Sequence, residues 1–90
     1  MKKLEYKIRK NGFNYHLIIR DENKALYDQR DDRGVLYGHE LFRIQIVKEK
    51  EVFGKLVEAH EKFPADKDFG ITAWSVGINR DEAICKYHKL

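Results

Sequence analysis

Cys85 and His88 stand three residues apart, a spacing that puts a thiol and an imidazole on one face of a helix. Such a pair can begin a metal site or, with the imidazole as base, activate a thiolate nucleophile. Both uses need more than the sequence offers. No third or fourth ligand stands nearby, and nothing orients His88. The plainer reading is a partly buried cysteine beside a surface histidine. The other histidines, His16, His39 and His60, are scattered. His60-Glu61 lacks the second histidine, four residues on, that a helical zinc motif requires, and no C-x-x-C is present. Ser75, the single serine, lies outside any G-x-S-x-G turn. Glu58 with Glu61, or Asp31 with Asp32, offers carboxylate pairs for acid–base work, but these stretches read more simply as turns and solvated faces. The glycines match no phosphate-cradling pattern. No catalytic, cofactor-binding or metal-binding residue is therefore assigned, no cofactor is implied, and the protein is not expected to be an enzyme.

Charge points elsewhere. Residues 1–24 carry seven basic and three acidic side chains, residues 25–70 eight and ten, and residues 71–90 three and two, for a net +3. Lys7, Arg9, Lys10 and Arg20, with Tyr6, Tyr15 and Tyr27, could combine phosphate contacts with base stacking. Strand parity argues against the aromatic half of that reading. Tyr15 falls in step with Leu17 and Ile19, which must face a core, whereas a stacking platform needs exposed rings. The simpler reading makes the aromatics core and the basic residues a solvated face.

A chain of 90 residues suffices for a single domain with one modest core. Hydrophobic residues at 42% and aromatics at 12% argue against disorder. No apolar run approaches the ~20 residues of a membrane span. The residues after Met1-Lys2-Lys3 alternate charged and apolar, unlike a signal peptide. One cysteine excludes an internal disulfide, so a cytoplasmic protein with no membrane partner is expected.

Leu4, Tyr6 and Ile8 alternate with charged residues, Asn11-Gly12 is a strong hairpin signal, and Phe13–Ile19 alternates again with Phe13, Tyr15, Leu17 and Ile19 on one face. Asp21–Lys24 turns into a strand over Ala25–Arg30, and Asp31–Gly34 into a longer extended run over Val35–Val47, where Gly38 can mark a bulge. In that run Phe42, Ile44 and Ile46 share a face. Glu49–Phe63 is ambiguous: its apolar residues fit a helical stripe, though Gly54 and the valines suit one poorly, and an extended segment turning at Gly54 and stopping at Pro64 fits about as well. Ile71–Val76 reads as a buried strand with Trp74 as core anchor. Asn79 with Glu82 has capping-box spacing, and Ala83, Ile84, Tyr87 and Leu90 form the buried face of a short helix. The fold class is α+β: an antiparallel meander of four or more strands with one C-terminal helix packed on it.

Several short features together resemble a loose group of small uncharacterised proteins encoded on bacterial phages, plasmids and conjugative elements. They are Gly12-Phe13-x-Tyr15, Ala25-Leu26-Tyr27-x-Gln29, Glu40-x-Phe42-x-Ile44, Phe53-Gly54-Lys55, Glu61-x-Phe63-Pro64, Phe69-Gly70-x-x-Ala73-Trp74 and Glu82-Ala83. The group has no assigned activity and so carries over no functional residue. The resemblance implies an accessory gene of a mobile element. It also implies extended structure over Glu51–Lys62, because similar sequences tolerate a proline there that a helix interior would refuse. The leading expectation is a non-enzymatic accessory protein that binds another protein, a homodimer being one form of this. The alternative is a nucleic-acid-binding protein using Lys7, Arg9, Lys10 and Arg20.

Overall fold

Asn11 and Gly12 have φ values of 53° and 82°, the left-handed pair that a type I′ turn requires. They join β1 (Lys7–Lys10) to β2 (Phe13–Arg20). In the computed structural model, which describes all of residues 1–90, β3 (Lys24–Arg30) and β4 (Leu36–Arg43) continue the meander. The β2–β3 and β3–β4 turns are each tied by an aspartate. Asp21 Oδ1 accepts from the Asn23 and Lys24 amides at 2.7 and 2.9 Å, and Asp31 Oδ1 accepts from the Arg33 and Val35 amides at 2.9 Å. The chain then leaves the sheet through four short strands: β5 (Gln45–Val47), β6 (Lys50–Val52), β7 (Lys55–Val57) and β8 (His60–Lys62). A 3₁₀ turn at Asp66–Asp68 leads back to β9 (Ala73–Val76), which pairs with β4, and α1 (Arg80–Lys89) closes the chain. The result is a five-stranded antiparallel sheet in the order β1-β2-β3-β4-β9 with one helix on it.

Each face of the sheet carries a core. On the helix face, Leu26, Leu41 and Val76 pack with Ala83 and Tyr87 of α1. Asn79 caps that helix by accepting from the Glu82 amide at 3.0 Å, as its spacing suggests. On the opposite face Tyr15, Ala25, Tyr27, Phe42 and Ala73 form the second core. Phe63 is pressed onto it, with ring centroids 4.9, 5.4 and 5.3 Å from Tyr15, Tyr27 and Phe42. We call this the arm face.

Several sequence expectations need correction. Ile19 does not share a face with Phe13, Tyr15 and Leu17. The β2–β3 register shifts between Leu17 and Ile19, so Leu17 opposes Tyr27 while Ile19 opposes Leu26. This bulge lets Ile18 and Ile19 both pack against the helix-face core and turns Arg20 to the arm face. Val35–Val47 is not one strand. Ile44 donates its amide to Asn23 O at 2.8 Å, and Gln45 onward pairs with β8 instead of the sheet, which leaves Ile46 exposed. A register irregularity does occur beside Gly38, with Tyr37 as the extra residue. Trp74 lies on an edge strand, is half-buried and belongs to neither core; Ala73 and Val76 are the buried residues there. Residues 51–62 are extended, as the resemblance implies, and the helical alternative is excluded.

Candidate functional site

The excursion between β4 and β9 forms an arm of two successive ladders. β5–β8 makes its root, and β6–β7 makes a hairpin that ends in Phe53-Gly54. Phe53 has φ 51° and Gly54 φ 75°. Glycine suits such a turn, but left-handed backbone is strongly unfavourable for a bulky aromatic residue. The phenylalanine gains nothing inside the molecule in return, because it is fully exposed. Leu56 and Val52 beside it, and Ile46 nearer the root, are exposed too. The sequence shows these only as apolar residues in a strand, which ordinarily means core.

The root, by contrast, is held hard. The Glu61 side chain is only 1% exposed. Its two oxygens accept from Arg20 Nη1 and Nη2 at 2.6 and 2.8 Å, and Oε1 also accepts from the Leu4 amide at 2.9 Å. Lys3 Nζ adds its charge at 3.8 Å. The bidentate bond to Arg20, with smaller help from the Leu4 amide and Lys3, pulls the Glu61 carboxyl down to about 2. The N-terminal segment straps the same place: the Lys2 amide donates to Ala59 O and the Glu61 amide to Lys2 O, at 3.0 and 2.9 Å. A groove of about 430 Å³ runs between this strap and the root, lined by Lys2, Lys3, Leu4, Val57, His60 and Phe63, among others.

The four basic residues singled out by sequence do not form one surface. Lys7 and Arg9 oppose His16 and Asn14 on the helix face. Lys7 is exposed and makes no ion pair, while Arg9 is paired with Asp32 and with Asn14. Lys10 points the other way, donating to Pro64 O, with its ammonium 5.4 Å from the centre of the Phe63 ring. Arg20 is consumed by Glu61. Of the three tyrosines, Tyr15 and Tyr27 are buried and Tyr6 is exposed. Burial pushes the Tyr15 and Tyr27 hydroxyls up to about 12.

Below the helix N-terminus the helix face is polar. Asp28 is 3% exposed. Its Oδ1 lies 3.2 Å from His16 Nδ1, and its Oδ2 accepts from Arg30 Nε at 3.1 Å and Arg80 Nη2 at 3.5 Å. Arg80 is 52 residues from Asp28 in sequence, which hides the cluster from any local motif. Beside it His39, 1% exposed, donates Nδ1–H to Gly77 O at 2.8 Å, and its Nε2 has no partner. Cys85, expected to be partly buried, is exposed on α1, because the buried stripe of that helix runs through Ala83 and Tyr87. No cluster of three or more histidine, cysteine or acidic side chains is arranged to hold a metal ion.

One buried acid has no salt-bridge partner. Glu40 lies on the arm face beside the Tyr15 hydroxyl, which also receives the Gln29 amide at 3.2 Å, and Glu40 Oε2 is buried without a partner. Burial pushes its carboxyl up. A folded-state pKa raised above the unfolded value stabilises the fold fully below the unfolded pKa, and this contribution is lost as pH rises through the folded one. Glu40→Gln is therefore expected to stabilise the protein at pH 7 by about 1 kcal/mol or more, the scale of an unmet buried polar group. Denaturant titrations at pH 7 and pH 4 check this. The gain should shrink at the lower pH, and an equal change at both pH values would show that the carboxyl's charge is not the cause.

The fold and this geometry define an α+β protein with a five-stranded antiparallel sheet, one covering helix and a projecting arm. Comparison with known proteins found no matching family model, no similar curated protein and no similar solved structure. No helix is long and apolar enough to cross a membrane.

Proposed function

We propose that the protein acts by binding another protein through the tip of the arm, without catalysing a reaction. The observation that carries this is Phe53: fully exposed, in left-handed backbone, at the end of a hairpin whose root is clamped. An aromatic side chain offers 150–250 Å² of surface for burial and is a typical anchor of an interface. Holding it at a tight turn on a strapped root reduces the ordering cost of association. Leu56 and Val52 extend the apolar tip, and Lys50 and Lys55 border it. The proposed role is that of an accessory protein of a mobile element acting in the bacterial cytoplasm, which is what the resemblance to proteins of phages, plasmids and conjugative elements implies. The bound protein is either a second copy of the chain or a different protein.

A photo-reactive phenylalanine at position 53 tests the reading, with the same probe at Lys67 as control and light scattering to report mass. A cross-linked dimer from position 53, lost with Leu56→Ser, identifies a second copy. A discrete heterologous product in bacterial extract, with the same dependence on Leu56, identifies another protein. A monomer that gives no product from position 53 beyond that from position 67 overturns the proposal.

A further inference from the structure

The half of the helix face that α1 leaves uncovered carries a second binding surface, and this rests on no part of the arm reading. The register lays two polar rows across the sheet. Lys7, His16, Asp28 and His39 are successive partners from β1 to β4, and Arg9, Asn14 and Arg30 are successive partners from β1 to β3. Arg80 reaches the first row from the start of α1. Four cations, Lys7, Arg9, Arg30 and Arg80, meet two carboxylates, Asp28 and Asp32.

The two carboxylates play different parts. Asp28 is sunk beneath the surface, where it fixes the His16, Arg30 and Arg80 side chains and so points them. Asp32 is an exposed partner of an exposed arginine, a kind of pair that contributes little to stability and is readily exchanged for another anion. Arg80 is 53% exposed and spends one nitrogen on a 3.5 Å contact, so most of its donors face solvent. Lys7 makes no ion pair. An aromatic platform adjoins these cations: Tyr6 is exposed, and its ring stands edge-on to His16 with centroids 6.3 Å apart. Beneath lie a buried carboxylate and the partnerless Nε2 of His39, polar groups that a face serving only packing has no need to bury.

We propose that this surface binds single-stranded nucleic acid, with Lys7, Arg9 and Arg80 on successive phosphates and Tyr6 stacking on a base. Exposed cations with an adjacent aromatic ring suit a strand whose bases are free to stack. A duplex hides its bases, and neither a helix nor a ribbon projects from this face to enter a groove. Lys10 and Arg20 take no part, being engaged on the opposite face.

The test is fluorescence anisotropy with labelled twelve-nucleotide RNA, the same length of single-stranded DNA, and a DNA duplex, at about 50 and 200 mM salt. Three neutralised phosphates predict a roughly 18-fold loss of single-strand affinity over that range. Lys7→Glu with Arg80→Gln should weaken binding at least tenfold, and Tyr6→Ala about tenfold. Lys67→Glu, a charge change of the same kind elsewhere on the surface, should leave it nearly unchanged, as should Phe53→Ser at the arm tip. Thermal melts confirm that each variant is folded, and Tyr6→Ala serves if the double variant is not. Absence of single-strand binding at 50 mM, tighter binding of the duplex, or an equal loss with Lys67→Glu would overturn the proposal. Failure here leaves the arm untouched, because Lys7, Arg9, Arg80 and Tyr6 do not enter that reading.

Discussion

Glu61→Gln should lower the stability of the protein at pH 7 by about 3 kcal/mol. Removing one member of a buried ion pair leaves its partner uncompensated, which costs about 3–5 kcal/mol. The glutamine keeps a carbonyl for the Leu4 amide and one bond to Arg20, which sets the lower end of that range. In a domain of this size the loss corresponds to a fall in melting temperature of roughly 12–24 °C, a large part of a total stability of about 5–15 kcal/mol. Arg20 side-chain exposure is 19%, too little for water to replace the carboxylate. The effect belongs to the pair, so replacing both partners at once, Arg20→Met with Glu61→Leu, should recover most of it, as apolar substitution of buried pairs often does. A double variant as unstable as Glu61→Gln would show instead that the site tolerates no repacking.

The same residue sets the acid limit of the fold. The Glu61 carboxyl is lowered in the folded protein from 4.5 to about 2, so its contribution is complete above about pH 4.5 and is lost as pH falls toward 2. The difference amounts to stability on the order of 3 kcal/mol. Asp21, Asp31 and Asp32 are lowered as well, by the turn amides of Asn23 and Val35 and by Arg9 respectively; being at the surface, they add a shallower slope in the same direction. Glu40 has the opposite sign. Urea midpoints between pH 6 and 2.5 should fall steeply for the wild type and much less for Glu61→Gln. Parallel curves would assign acid sensitivity to the surface aspartates.

What the sequence reveals and conceals here follows the range of the interactions. The Asn11-Gly12 turn, the Asn79 cap and the alternation of β3 depend on neighbours in the chain, and each is legible. The bulge at Ile18 is not. Strict alternation puts Arg20 on the helix face, and only the presence of Glu61, 41 residues away, gives a reason for it to turn. Ile44 reads as one more step of an alternating strand because the break depends on pairing with β8. A sheet with a core on each face also weakens parity arguments: the objection that Tyr15 must be core is correct, yet it says nothing about Tyr6, which lies just outside β1 and is exposed. The polar rows were half legible. Charge singles out Lys7 and Arg9, whereas Arg30 and Arg80 need the register and the docking of α1.

Phe53→Asn should raise the melting temperature while removing the arm's anchor. Asn-Gly is the preferred pair for a two-residue type I′ hairpin because asparagine enters left-handed backbone at little cost. A bulky residue held there costs on the order of 1–3 kcal/mol, and a fully exposed ring has no packing to lose. Relief of even the lower figure predicts a rise of about 4–8 °C. A gain in stability with loss of cross-linking from a photo-reactive probe moved to Lys55, which borders the tip, would show that the tip is tuned for contact with something outside the molecule, at the expense of its own turn. Phe53→Ser separates the two effects, since serine removes the anchor without supplying the preferred turn residue; it should abolish contact with little change in melting temperature. A fall in melting temperature with asparagine would mean that the ring packs within the protein, and the arm would then be a structural hairpin with no claim to a partner.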